Sequence, residues 1–138
     1  VVGLDAQAVE LAVPAHVRTG VAVLLEADPA ELRSLGERAG EHFSVVLSDM
    51  APNTTGSPGA DSFRSVELCR RVLAVLPSLL GTGGCIALKV FEGEAYPDLV
   101  AEVKARFMEV KGYKPDATRA VSREMFIVAA GFKGGPGP

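Results

Sequence analysis

Three charged residues stand where apolar strands run out. Asp49 follows Phe43-Ser44-Val45-Val46-Leu47-Ser48, a β-branched and apolar run that reads as a buried strand of a parallel sheet. Pro52, Gly56, Pro58 and Gly59 then mark a loop, so the order is strand, carboxylate, loop. In open α/β sheets ligands bind beyond the carboxyl ends of the strands, where such an acid is placed for chemistry. The alternative is that Asp49 caps the loop through its own backbone. Lys89 is the one charged residue of Cys85–Val90. A lysine there needs a partner or a route to water. Its stem either snorkels to the sheet edge or sets the ammonium beside Asp49. Asp5 closes Val1-Val2-Gly3-Leu4, where nucleotide-binding α/β folds place an acid that accepts hydrogen bonds from ribose hydroxyls. A turn role is the alternative.

The elements that must position these residues alternate between strand and helix. Val21–Leu25 reads as a second short strand, and Asp28 closes it. Asp28 with Pro29 also forms a helix start, as N-cap and first residue. That helix runs through Leu32, Leu35 and Ala39 to a stop at Gly40. After the Asp49 strand comes a Gly-, Pro-, Thr- and Ser-rich loop, expected to be mobile before ligand binds. Val66, Cys69, Leu73, Leu76 and Leu80 are spaced by three and four and share one helix face. Pro77 should kink this helix or start a second. Gly81-Thr82-Gly83-Gly84 reads as the helix stop and a tight turn. It precedes a strand, so it is no phosphate loop, which lies between a strand and a helix. Cys85–Val90 is the next strand, Phe91–Glu94 a loop, Tyr96–Phe107 a helix and Met108–Lys114 a strand. Pro115–Arg123 is a polar loop and Glu124–Ala130 the last strand, ended by Gly131. With no helix between them, the last two strands must form an antiparallel hairpin at the edge of an otherwise parallel sheet.

Composition bounds the function. The 138 residues suffice for one domain with a core. At 48% hydrophobic and 22% charged the chain is globular, and no apolar run reaches membrane-span length. Its two cysteines, far apart, fit single thiols of a reducing compartment. Two histidines are too few for a histidine-centred metal or triad site, so no metal is expected. The net charge of −3 does not itself point to nucleic acid. Residues 1–100, however, carry 7 Lys/Arg against 13 Asp/Glu, and residues 101–138 carry 7 against 4. The positive section either meets a phosphate backbone or is solvated surface.

Several motifs agree in order and spacing: Ser48-Asp49-Met50-Ala51-Pro52-Asn53, Gly83-Gly84 leading to Lys89-Val90-Phe91, Lys114-Pro115, and Ser122-Arg123-Glu124. Together they resemble the FtsJ/RrmJ-type ribosomal RNA 2′-O-ribose methyltransferases over nearly the whole chain. Leu76-Pro77 and Asn53-Thr54-Thr55-Gly56 look somewhat like the mitochondrial members. The resemblance implies a Rossmann-like α/β fold dependent on S-adenosylmethionine (SAM), with a mostly parallel sheet and an antiparallel last strand. It implies a Lys-Asp-Lys-Glu tetrad, of which Asp49, Lys89 and Glu124 stand at the last three positions. It also implies that Asp5 holds the SAM ribose, that Asp28 lies near the adenine, and that Asp49 and Met50 line the methionine end. The family's first lysine and Gly-rich SAM loop precede the second strand and do not occur here. The chain starts at that strand, so residues 1–133 are expected to be a partial methyltransferase domain, followed by a disordered tail at 134–138. Without its first strand the sheet is expected to have a central gap, and these residues are not expected to be stable alone.

The chemistry gives these positions roles. Methyl transfer from a sulfonium is an in-line displacement, and positioning supplies much of its rate. The ribose hydroxyl must lose its proton. A free lysine, with a pKa of about 10.4, takes that proton only where burial or a second cation favours its neutral form. On this reading Lys89 is the base, or it steers the hydroxyl. Asp49 orients Lys89, and Glu124 fixes the second lysine or the ribose. Arg119 and Arg123 either meet RNA phosphates or belong to a solvated loop. Neighbouring reactions fit less well. An aspartyl phosphatase needs a second acid where Ala51 stands. Base-amino methylation uses an acid or Asn followed by two prolines and an aromatic, where this chain has Asp49-Met50-Ala51-Pro52 with no aromatic. A nicotinamide domain needs a strand-to-helix Gly-x-Gly-x-x-Gly, and the chain has none.

The expected function is therefore SAM-dependent 2′-O-ribose methylation of large-subunit ribosomal RNA. The alternative is a non-catalytic, methyltransferase-like subunit that binds RNA or the ribosome. The expected partner is ribosomal RNA or the large ribosomal subunit, without a membrane, in the bacterial cytoplasm or mitochondrial matrix.

Overall fold

The computed structural model describes residues 2–5, 20–23, 42–50, 52, 55–114 and 123–134. Six strands, β1 (Val2–Asp5), β2 (Gly20–Val23), β3 (Phe43–Ser48), β4 (Leu80–Phe91), β5 (Phe107–Tyr113) and β6 (Glu124–Phe132), form one sheet in the order β2-β1-β3-β4-β6-β5. β1 pairs in parallel with β2 and β3, and β3 with β4. β6 runs antiparallel to both β4 and β5. The hairpin expected from the sequence is thus present, with β5 outermost. The expected central gap is not. Leu4 of β1 pairs directly with Ser48 of β3, so β1 occupies the position beside β3 and satisfies its main-chain groups.

Helix α1 (Pro58–Leu79) and helix α2 (Tyr96–Arg106) join the strands. Helix α1 starts where Ser57 keeps an extended backbone and Pro58 supplies a preset first-turn φ. Ser57 makes no side-chain cap. Asp61, buried in the first turn, instead accepts hydrogen bonds from the Thr55 N–H and hydroxyl, each at 2.9 Å. The acid also suits the positive end of the helix. The helix continues through Pro77 to Leu79, and no second helix begins there. Pro77 falls in the last turn, so little helix lies beyond the hydrogen bond it removes. The Leu80 N–H still closes on the Leu76 carbonyl.

The glycine stretch does not separate helix from strand. Leu80 already pairs with Phe43, and the register then jumps to Val45–Cys85. Gly81–Gly84 form an irregularity within β4 rather than a turn ahead of it. Gly83 has φ +85°, and a Cβ on Gly84 would meet Leu80 Cδ1 at 2.5 Å, which explains why small residues stand here. β6 likewise runs past Gly131 to Phe132. Phe132 pairs with Phe107, the ring centroids 5.3 Å apart, and this buried contact holds the strand end beyond the expected stop.

Alternation along β4 assigns its faces. Ile86, Leu88 and Val90 are buried with Val46, Ile127 and Ala129 in a core shared with α1 and α2. Ala87 and Lys89 take the opposite face, as does Val128, which is 46% exposed like Leu47 at 43%. Lys89 therefore stands in an apolar strand without entering the helix-side core.

The two cysteines are free, Cys69 buried in that core and Cys85 partly exposed. Burial pushes the Cys69 thiol up to about 12, which leaves it without thiolate near neutrality. Alkylation of the native protein at pH 8 is expected to modify Cys85 and spare Cys69 until denaturant is added. Modification of Cys69 in the folded state would contradict this packing.

Candidate functional site

The parallel strands deliver their carboxyl ends to one edge of the sheet. Asp5 ends β1 one residue beyond the Leu4–Ser48 pair, and Asp49 follows β3. Near the same edge β4 presents Lys89 close to its end at Phe91. β6, running the other way, begins there with Glu124, which pairs with Phe91. Lys89 lies opposite Phe126, so Glu124 is its diagonal neighbour on the same face.

The Lys89 ammonium is 3.0 Å from Asp49 Oδ1 and 3.8 Å from Glu124 Oε1. The Lys89 side chain is only 14% exposed, against 69% for Asp49 and 34% for Glu124. A mostly covered cation thus meets two carboxylates that water and ligand can still reach. The arrangement can hold a hydroxyl between ammonium and carboxylate, and it can hold positive charge near Asp49.

A second charged pair lies farther along this edge. Lys114, just after β5, bonds Glu92 Oε2 at 3.2 Å. The Glu92 N–H donates to the Arg123 carbonyl at 2.9 Å. Glu92 thus connects the chain just after β4 to Lys114 and to the residue before Glu124. Burial first, and the Glu92 carboxylate second, push the Tyr96 phenol above its ordinary value. A Cβ at Gly112 would come within 2.6 Å of that hydroxyl, so this glycine keeps room for it.

The sequence-predicted residues fare differently. Asp49, Lys89 and Glu124 come together, and Asp5 lies at the same edge. The Met50 side chain fills the core at 2% exposure. Arg123 is exposed beside Glu124. Asp28 and Arg119 lie outside the described residues. The sequence reading passed over Ser62 and Ser65, both buried, whose hydroxyls bond the main chain of Phe91 at 3.1 and 3.0 Å. Their signal was available: two serines on the buried side of an amphipathic helix need partners.

A mostly parallel sheet with one antiparallel strand, helices packed on it, and charged groups at the strands' carboxyl ends define an α/β fold of the methyltransferase type. The chain belongs to the FtsJ-like methyltransferase family, whose model matches residues 1–132. It is similar to ribosomal RNA large subunit methyltransferase E of Desulfatibacillum aliphaticivorans, 40% identical over 115 residues, which cover 83% of this chain and 56% of that protein. The enzyme of the same name from Desulforapulum autotrophicum is 38% identical over 133 residues, or 96% of this chain and 63% of the relative. The chain therefore spans less than two thirds of these relatives. Among solved structures, a putative ribosomal RNA methyltransferase from Plasmodium falciparum shares the fold. Its TM-score is 0.73 at 20% identity, over 98% of this chain and 73% of that one.

Because Asp49 is largely exposed, its ion pair should contribute little to stability, within the range of about 0–1 kcal/mol for surface pairs. Asp49→Asn is expected to shift the unfolding free energy by less than about 1 kcal/mol, as read by urea denaturation. A loss of several kcal/mol would make Asp49 a structural residue rather than a site residue.

Proposed function

We propose that the protein containing this chain is a SAM-dependent 2′-O-ribose methyltransferase acting on large-subunit ribosomal RNA. The observation that carries the reading is Lys89, held between Asp49 and Glu124 at the carboxyl edge of the sheet. Family membership and the names of the two bacterial relatives support it.

The donor set fits the cofactor. SAM carries a cationic sulfonium and ribose hydroxyls, and this edge offers an exposed carboxylate at Asp49 and a second acid at the end of β1. Asp5 would hold the ribose, Asp28 would lie by the adenine, and Asp49 would line the methionine end, while the Met50 side chain packs in the core instead. When bound, SAM supplies the electrophilic methyl group.

The remaining work falls to this chain's own residues. The Lys89 ammonium, fixed by Asp49, holds the oxygen of the target 2′-hydroxyl. Lys89 serves as the base only in its neutral form; charged, it steers the oxygen while water takes the proton. Glu124 holds the ribose or the far side of the ammonium. Arg123, and Arg119 in the adjoining segment, meet RNA phosphates and add affinity without reading sequence. The relatives' names point to ribosomal RNA as the substrate, and the modest charge favours an assembled particle over free RNA.

Methyl transfer from labelled SAM to ribosomal particles tests this reading. Lys89→Ala should lower turnover by about 100-fold or more, the lower end for a positioned proton-transfer group. Asp28→Ala should cost less and act mainly through the KM for SAM. Equal, mild losses in the two variants would remove Lys89 from the chemistry. If calorimetry shows that the folded protein does not bind SAM, the enzyme reading fails, and RNA or ribosome binding alone remains.

A further inference from the structure

The end of β4 that carries Lys89 outruns its parallel neighbour. The β3 ladder stops at the Ser48–Leu88 pair, whereas the β6 ladder continues to Glu124–Phe91. Lys89 and Phe91, two residues apart, send their main-chain groups to the same side of the strand. Where β3 has ended, those groups need other partners, because an unpaired buried backbone group is costly.

Helix α1 supplies the partners from three small side chains. Cys69 Sγ donates to the Lys89 carbonyl at 3.2 Å. Ser65 Oγ accepts the Phe91 N–H at 3.0 Å, and Ser62 Oγ donates to the Phe91 carbonyl at 3.1 Å. The Ser65 hydroxyl sends its own proton to the Ser62 carbonyl at 2.8 Å, so its lone pairs remain for Phe91. Ser62, Ser65 and Cys69 are each at most 2% exposed. Their spacing of three and four puts them on one helix face. Gly93 packs against the same place, since a Cβ there would meet Ser62 Cβ at 2.6 Å. Three buried polar side chains thus converge on two residues, one of which is Lys89.

We infer that Ser62, Ser65 and Cys69 are positioning residues for methyl transfer: they hold the Lys89–Phe91 main chain so that the Lys89 ammonium meets Asp49 and Glu124. The inference rests on the reading of Lys89 as the group that faces the reacting hydroxyl. A long side chain on a strand end with a neighbour on one side only would otherwise sample several placements, and misplacement of about 1 Å costs on the order of 100-fold in rate. The thiol and hydroxyls act only through the backbone and touch neither substrate nor cofactor.

The cysteine allows a clean test. Cys69→Ala removes the donor, and Cys69→Ser keeps one. At a temperature where both variants are folded, Cys69→Ala should lower kcat about 10-fold with the KM for SAM and RNA unchanged, because the lost interaction acts on the transition state. Cys69→Ser should restore kcat to within about 2-fold of the parent. Ser65→Ala should behave as Cys69→Ala does. In the protein without ligand, the Lys89 side-chain ammonium resonance should move toward those of exposed lysines in Cys69→Ala and return in Cys69→Ser. A folded Cys69→Ala protein with parental kcat and an unchanged Lys89 resonance overturns the inference while Lys89→Ala remains inactive. An active Lys89→Ala protein removes the underlying reading as well.

Discussion

One ammonium group ties this sheet edge together. Lys89 is mostly covered, and a covered cation is tolerated only where anions or water answer it. The answering groups come from the residue after β3 and the first residue of β6, the two strands that flank β4. The ends of three neighbouring strands are thus brought to one charge. Asp49 remains exposed, so the pair contributes more to placement than to stability.

The rest of the fold prepares that placement. The apolar residues of β4 alternate with it, and the two helices cover the other face. Lys89 is consequently set against the core without being buried in it. The β5–β6 hairpin brings Glu124 back to the carboxyl edge against the direction of the parallel strands, which is why an acid at the start of a strand can join one that follows a strand. Glu92 holds both Lys114 and the main chain of Arg123, so the entry to β6 is fixed from a second side.

Much of this was legible in the chain. Strand runs ending in acids placed Asp5 and Asp49 at the edge, and the absence of a helix between the last strands required the hairpin. Lys89 was visible as an anomaly, although the alternation Ile86, Leu88, Val90 against Ala87, Lys89 already stated its face. The glycine stretch misled, because Gly81–Gly84 satisfy both a turn and an irregular strand, and only pairing with Phe43 distinguishes them. Pro77 starts no second helix, because a proline in a final turn costs less than one at mid-helix. The direct pairing of β1 with β3 could not be read locally, since parallel neighbours depend on the whole sheet. Ser62 and Ser65 stood out as polar residues on the buried helix face, but their shared partner, Phe91, could not be read because it lies 29 and 26 residues away.

The position of the transferred methyl group tests the central claim most directly. Alkaline cleavage of RNA requires a free 2′-hydroxyl beside the phosphate. RNA from particles treated with the protein and methyl-labelled SAM should therefore yield the label in a dinucleotide that resists alkali. Label released in mononucleotides would place the methyl on a base and contradict a site built around Lys89, Asp49 and a ribose hydroxyl.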